Sequence, residues 1–193
     1  MTIGQVLFKY RSYTPIPFII PLLLFARPTI TTLISGGIIV LIGELIRFWG
    51  VLYAGGETRA TEKIGASQLV TQGPFAYVRN PLYIGNILMY FGISIMGNSL
   101  FPFLQIISLI YFTIQYYFII IDEEKFLKEK FGNAYENYAS HVRRFLPGKP
   151  YAHEMRSKVK ADFKAAYFSE KRTFQAIFIS VVMIIIIYFL INQ

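Results

Sequence analysis

Three groups of charged side chains stand at the edges of apolar runs, where charge is costly unless it is paired or used. The first is in "LVTQGPFAYVRNPLYIGN", residues 69 to 86. There, Arg79 brings a rigid fork of donors suited to a carboxylate or phosphate. Asn80 precedes Pro81 and is pushed toward an extended conformation. Pro81 can then occupy the first turn of a helix whose free N–H groups suit an anion. The second group, Asp122, Glu123 and Glu124, opens "DEEKFLKEKFGNAYENYASHVRRFLPG", residues 122 to 148. The third is Glu44 and Arg47, in "GELIRFWGVLYAGGETRA", residues 43 to 60. A plainer reading stays open for each group. Arg79 can snorkel to headgroups while Pro81 only starts a helix, and the acidic run can be a solvated helix end. Glu44 and Arg47 can pair within one helix, being one turn apart.

The elements that must position these residues are membrane helices. The chain of 193 residues is 54% hydrophobic and 16% charged, and its mean hydropathy is +0.47, too apolar for a soluble domain of this size. A proline-containing block at 15–26 reads as a short, tilted or re-entrant helix. Blocks at about 30–52, 82–96, 100–121 and 174–191 read as spans. The turn "GNS", residues 97 to 99, makes a helical hairpin of the third and fourth spans. Gly36, Gly37 and Gly43 permit close helix packing in the second. Trp49 and Tyr53 read as interfacial anchors. Phe131, Tyr135 and Tyr138 follow helical spacing, with Pro147 and Gly148 as the stop. The expected fold is all-α: a polytopic integral membrane protein of about five transmembrane helices.

Charge gives the expected orientation. Lys9, Arg11, Arg59, Lys63, Arg79 and the twelve basic residues of 122–173 fall on one side, with only Arg27 opposite. That side, with the N-terminus, should be cytoplasmic. The basic segment suits anionic lipid rather than nucleic acid. The chain has no cysteine, which excludes disulfides, thiolate metal sites and cysteine nucleophiles; no metal site is expected.

Taken in order, these stretches resemble the isoprenylcysteine carboxyl methyltransferase family and the related membrane phospholipid methyltransferases. The family pattern is Gly, an aromatic, Arg-His-Pro-x-Tyr, later Glu-Glu, then Phe-Gly-x-x-Tyr-x-x-Tyr and Arg-Phe-x-Pro. The resemblance covers about residues 43–148, within a core of 1–148. Residues 149–193, a basic segment plus a last span, lie outside it and inherit no role. It implies S-adenosylmethionine in a cytoplasm-facing pocket and a lipid-like acceptor entering from the bilayer. Leu69, Val70, Gly73, Tyr77, Arg79, Asn80, Pro81, Tyr83 and Glu124 would bind the cofactor. Arg79, Glu123 and Glu124 would be catalytic, and Arg47, Trp49, Tyr138 and Arg144 would serve the acceptor. Arg144, Phe145 and Pro147 match the closing motif.

Two departures bear on mechanism. Asn80 stands where the family has His, and Ser67 where some members have a second one. An amide hydrogen-bonds but does not titrate near neutral pH, so position 80 supplies no general base. Two rival readings stand beside the methyltransferase: an NADPH-dependent membrane sterol or steroid reductase, which carries a similar Arg-His-Pro-x-Tyr stretch, and a non-enzymatic lipid-binding membrane protein.

Overall fold

The computed structural model describes residues 1–55 and 67–191, and among them every regular element is helical. Arg59 and Lys63, two of the charges used for orientation, lie outside the described residues.

The chain begins with α1 (Ile3–Tyr10) and α2 (Ile16–Leu24). The block expected as a short, tilted or re-entrant helix is a nine-residue helix, too short to cross by itself at 1.5 Å per residue. The two helices together nevertheless run the depth of the bundle. Thr2 donates to Asp122, whereas Leu22 accepts from Ser99 Oγ at 2.5 Å and Arg27 N–H donates to the Gly97 carbonyl at 2.9 Å. Asp122 and Leu104, which packs with Leu22, lie on one helix. The eighteen steps between them amount to roughly 27 Å, close to a hydrocarbon core.

Among the described residues, three helices are long and apolar enough to cross a membrane: α3 (Ile30–Ala54), α5 (Phe103–Phe131) and α7 (Phe163–Ile191). A fourth, α4 (Pro81–Gly97), is apolar and shorter, at 17 residues. Thr29 caps α3 through a reciprocal bond pair with Thr32, and Pro81 starts α4 as its fixed φ favours.

The tightest pairing is α3 against α4, and glycine makes it possible. A Cβ on Gly43 would lie 2.8 Å from the Gly85 carbonyl, and one on Gly92 2.8 Å from that of Gly36. Two backbones approach this closely only where side chains are missing. Gly37, grouped with these on the sequence, faces open space.

Helix α4 ends with Asn98 in the left-handed region and turns into α5, the expected hairpin. Helix α5 continues through the acidic run to Phe131 instead of ending near Ile121. Gly132, at φ +52°, breaks it from α6 (Asn133–His141). The aromatic helix thus stops at His141, ahead of Pro147, because Val142 turns extended.

Residues 142–162 run back over the loop before α4. Gly148 N–H donates to the Tyr77 carbonyl at 3.0 Å, Tyr151 N–H to Ala76 at 2.8 Å and Asp162 N–H to Leu52 at 2.8 Å. These bonds deliver α7 beside α3. It starts eleven residues before the uncharged run at 174, so Glu170 and Arg172 belong to the helix.

A candidate active site at the polar end of the bundle

A cavity of about 680 Å³ opens among α1, α2, α4, α5 and α7, under the 69–80 loop and α6. One end is polar, with Arg79, Asn80, Glu123 and Glu124 in its wall. The other runs into the apolar interior past Phe18, Ile19, Leu22 and Ile93.

Arg79 organises the polar end. Its Nε donates to Glu124 Oε1 at 3.0 Å, and its Nη1 donates to the carbonyls of Ala139 at 2.7 Å and Val142 at 3.1 Å. A cation at the C-terminus of α6 satisfies carbonyls that the helix leaves open. The Arg79 N–H donates to Arg143 O at 2.9 Å, so backbone and side chain tie the loop to the same segment. Three of its five guanidinium N–H groups are thereby used, and Nη2 retains its pair.

Glu124 is shared by two arginines. Arg144 Nη2 donates to its Oε2 at 2.7 Å, and Arg144 Nε approaches both oxygens at 3.1 and 3.2 Å. This contact raises the Arg144 pKa from its ordinary value. Asn80 Nδ2 donates to the Arg144 carbonyl at 3.2 Å and reaches Glu124 Oε1 at 3.5 Å. One helix position away, Glu123 accepts from Tyr83 Oη at 2.5 Å. The acidic pair is split between two jobs: Glu124 holds the loop, and Glu123 faces the tyrosines of α4 and α5.

The roof is aromatic. Tyr138 donates its hydroxyl to the Phe75 carbonyl at 2.7 Å. Burial pushes its pKa upward. Burial also pushes the Tyr135 hydroxyl up to about 12. That hydroxyl is buried on the cavity wall without a hydrogen-bond partner among the described residues. Such an orphaned donor has a cost unless a ligand meets it.

Deeper in the cavity wall stand Arg47 and Asn86. Arg47 does not pair with Glu44, as spacing alone suggests. Its Nε and Nη2 each donate to the carboxylate of Glu170 at 2.9 Å, and its Nη1 to Asn86 Oδ1 at 2.6 Å. Both Glu44 oxygens are buried without a hydrogen-bond partner among the described residues. The reason is direction: Arg47 points toward α4 and α7, and a bidentate carboxylate fixes it better than a neighbour on its own helix.

Of the residues singled out on the sequence, Leu69, Val70, Arg79, Asn80, Pro81, Tyr83, Glu123, Glu124, Arg47 and Tyr138 line this one cavity. Arg144 reaches it through Glu124. Three are placed elsewhere. Gly73, at φ +58°, carries the Tyr53 ring where a Cβ would be. Trp49 and Tyr77 form a half-exposed ring pair, 6.1 Å between centroids, on the outer surface. Glu170, Asn86 and Tyr135 were missed as site residues. A glutamate just before an eighteen-residue uncharged run was the available signal for Glu170.

A family model described as phospholipid methyltransferase matches residues 31–134. The chain belongs to the phospholipid methyltransferase family. The resemblance read from the motifs is borne out, and membership points to a membrane methyltransferase. The matched region carries Arg47, Arg79, Asn80, Glu123 and Glu124, and stops short of Arg144 and Glu170. Over 101 residues the chain is 32% identical to the cobalt-zinc-cadmium resistance protein CzcN of Cupriavidus metallidurans, covering 52% of this chain and 42% of that protein. It is 30% identical to the nickel-cobalt-cadmium resistance protein NccN of Alcaligenes xylosoxydans xylosoxydans, covering 52% and 43%. The chain thus spans less than half the length of the curated relatives it matches. No solved structure matches it.

Proposed function

We propose that the protein is an S-adenosylmethionine-dependent methyltransferase acting on a lipid-like acceptor drawn from the bilayer. One observation carries the reading: a polar pocket built on Arg79, Glu124 and Arg144 continues directly into an apolar arm between membrane helices. A charged cofactor and an apolar acceptor can meet in such a cavity and nowhere in bulk water or lipid.

The residues at the polar end suit the cofactor. The free Nη2 pair of Arg79 matches a carboxylate. The orphaned Tyr135 hydroxyl, held protonated by its raised pKa, is a donor for a ribose or purine atom. Leu69 and Val70 supply an apolar surface beside it. When bound, S-adenosylmethionine supplies a methyl group on a sulfonium, and in-line displacement breaks that C–S bond as the acceptor forms its own.

The chain's contribution is positioning and exclusion of water. Arg79 and Asn80 fix the loop over the site, and the tyrosines of α4, α5 and α6 wall it. A carboxylate acceptor requires no base. For an amine acceptor, Glu123 is the group placed to take the released proton, since Glu124 is held by two arginines. Asn80 takes no proton in either case. We place this end of the bundle, with the N-terminus, on the cytoplasmic side, on the strength of the basic residues that gather there.

Calorimetric titration of the purified protein with S-adenosylhomocysteine, with NADPH in parallel, tests the proposal. Binding of S-adenosylhomocysteine alone is expected. Binding of NADPH alone would move the protein to the reductases, and binding of neither would remove the enzymatic reading.

A further inference from the structure

The C-terminal helix lies outside the region matched by the family model, yet it enters the cavity. Thr173, Ala176, Ile177 and Ser180 of α7 line it opposite Ile19 and Leu22 of α2. Glu170, fully buried, grips Arg47 on the same wall. We propose that α7 completes the acceptor subsite: Glu170 positions Arg47 so that it and Asn86 receive an uncharged oxygen of a single-chain lipid, whose chain lies between α2 and α7. The word acceptor rests on the methyltransferase reading; the lipid site itself does not.

Charge decides the head group. Arg47 and Glu170 cancel through two bonds of 2.9 Å each. Glu170 already neutralises Arg47, so an anion brought there would add an uncompensated negative charge in a low-dielectric setting. A neutral hydroxyl or carbonyl meets no such opposition. Three of the five guanidinium N–H groups are used, which leaves two to donate. Asn86 is tied to Arg47 Nη1 at 2.6 Å and Arg47 to Glu170, so the donors are held in place before a ligand arrives.

Size decides the chain. A cavity of about 680 Å³ is within the roughly 300–1,000 Å³ that holds one small ligand. With the polar end given to a cofactor, the arm takes one chain, and a diacyl lipid would leave a chain outside.

Photolabelling tests this in nanodiscs, using dodecan-1-ol and dodecanoate that each carry a terminal diazirine. Adducts are mapped by mass spectrometry and normalised to those on lipid-facing Phe189, which cancels partitioning. The alcohol should label Ile19, Leu22 and Ile177 about tenfold more than dodecanoate, a difference of roughly 1.4 kcal/mol. In Glu170→Gln the preference should invert, because the guanidinium loses its counter-charge. Ala176→Phe keeps the ion pair but fills the chain path, and should abolish cavity labelling by both probes. It is the deciding variant if Glu170→Gln fails to fold. Equal or stronger labelling by dodecanoate in the unmodified protein would overturn the proposal, as would unchanged cavity labelling in Ala176→Phe. S-adenosylhomocysteine titration of the same nanodiscs separates the two claims. Labelling as expected without cofactor binding keeps the lipid subsite and removes the methyltransferase, whereas the reverse result removes only the subsite.

Discussion

Arg79 and Glu124 meet at 3.0 Å although 45 residues and a membrane hairpin separate them in the chain. The contact joins the loop before α4 to the end of α5, and Arg144 closes it from the segment after α6 at 2.7 Å. Three stretches that looked like separate motifs are one cluster around a single carboxylate.

Removing Glu124 should therefore damage more than chemistry. Glu124→Gln leaves Arg79 and Arg144 facing each other without a counter-charge. Each of the pair Arg79–Glu124 is 13% exposed at the side chain. The loss should approach the low end of the roughly 3–5 kcal/mol found for breaking a buried pair. Thermal unfolding in detergent should fall by several degrees, and S-adenosylhomocysteine affinity should drop at least about tenfold. An unchanged midpoint would show that the cluster does not hold the loop.

Tyr135→Phe separates binding from stability. Its hydroxyl has no partner among the described residues, so its removal should leave the unliganded protein as stable or slightly more stable. Affinity for S-adenosylhomocysteine should fall about fivefold if the hydroxyl meets the cofactor, a neutral bond being worth around 1 kcal/mol. The loss should be constant from pH 6 to 9, because that hydroxyl titrates near 12. Full affinity in the variant would remove Tyr135 from the site.

Glycine packing between α3 and α4 makes a sharp control pair. Gly85→Val places a Cβ 2.6 Å from the Gly43 carbonyl and 2.9 Å from Arg47 Cβ, both in the way of the crossing. Overpacking of this kind costs about 1–3 kcal/mol or more, and here it also shifts Arg47. Gly37→Ala has nothing within 4 Å of the added atom, and should be neutral or slightly stabilising. Detergent melting curves of both check the prediction, and a neutral Gly85→Val would contradict the close approach.

Glu44→Leu should not lower the unfolding temperature, and is expected to raise it. Both carboxylate oxygens are buried without partners, and replacing such a group by an apolar one of similar size removes a desolvation cost. A fall of several degrees would mean that Glu44 does hold a partner in the folded protein.

The sequence alone determined the all-helical fold class and most of the residues that line the candidate site. Long apolar runs have one solution in lipid, because every backbone group must bond within its own helix. The position of Pro81 followed from its fixed φ, and the order of Arg79, Glu124 and Arg144 carried the family. The break at Gly132 is not legible along the chain, since Phe131, Tyr135 and Tyr138 keep helical spacing across it. Tertiary structure alone decided the partners. Spacing paired Arg47 with Glu44, while packing gave it to Glu170, 123 residues away. The first apolar block holds one short helix, as spacing gave it, but packing joins it to α1: Thr2 and Leu22 find bonds at opposite ends of the bundle. Trp49 and Tyr77 had the composition of site residues but sit outside, since their helix face or loop turns away from the cavity. The physical reason is common to all of these. Hydrophobic length and backbone chemistry are local and can be read along the chain. A buried charge takes whichever opposite charge the packed helices bring to it, and that depends on rotations and crossings no local pattern encodes.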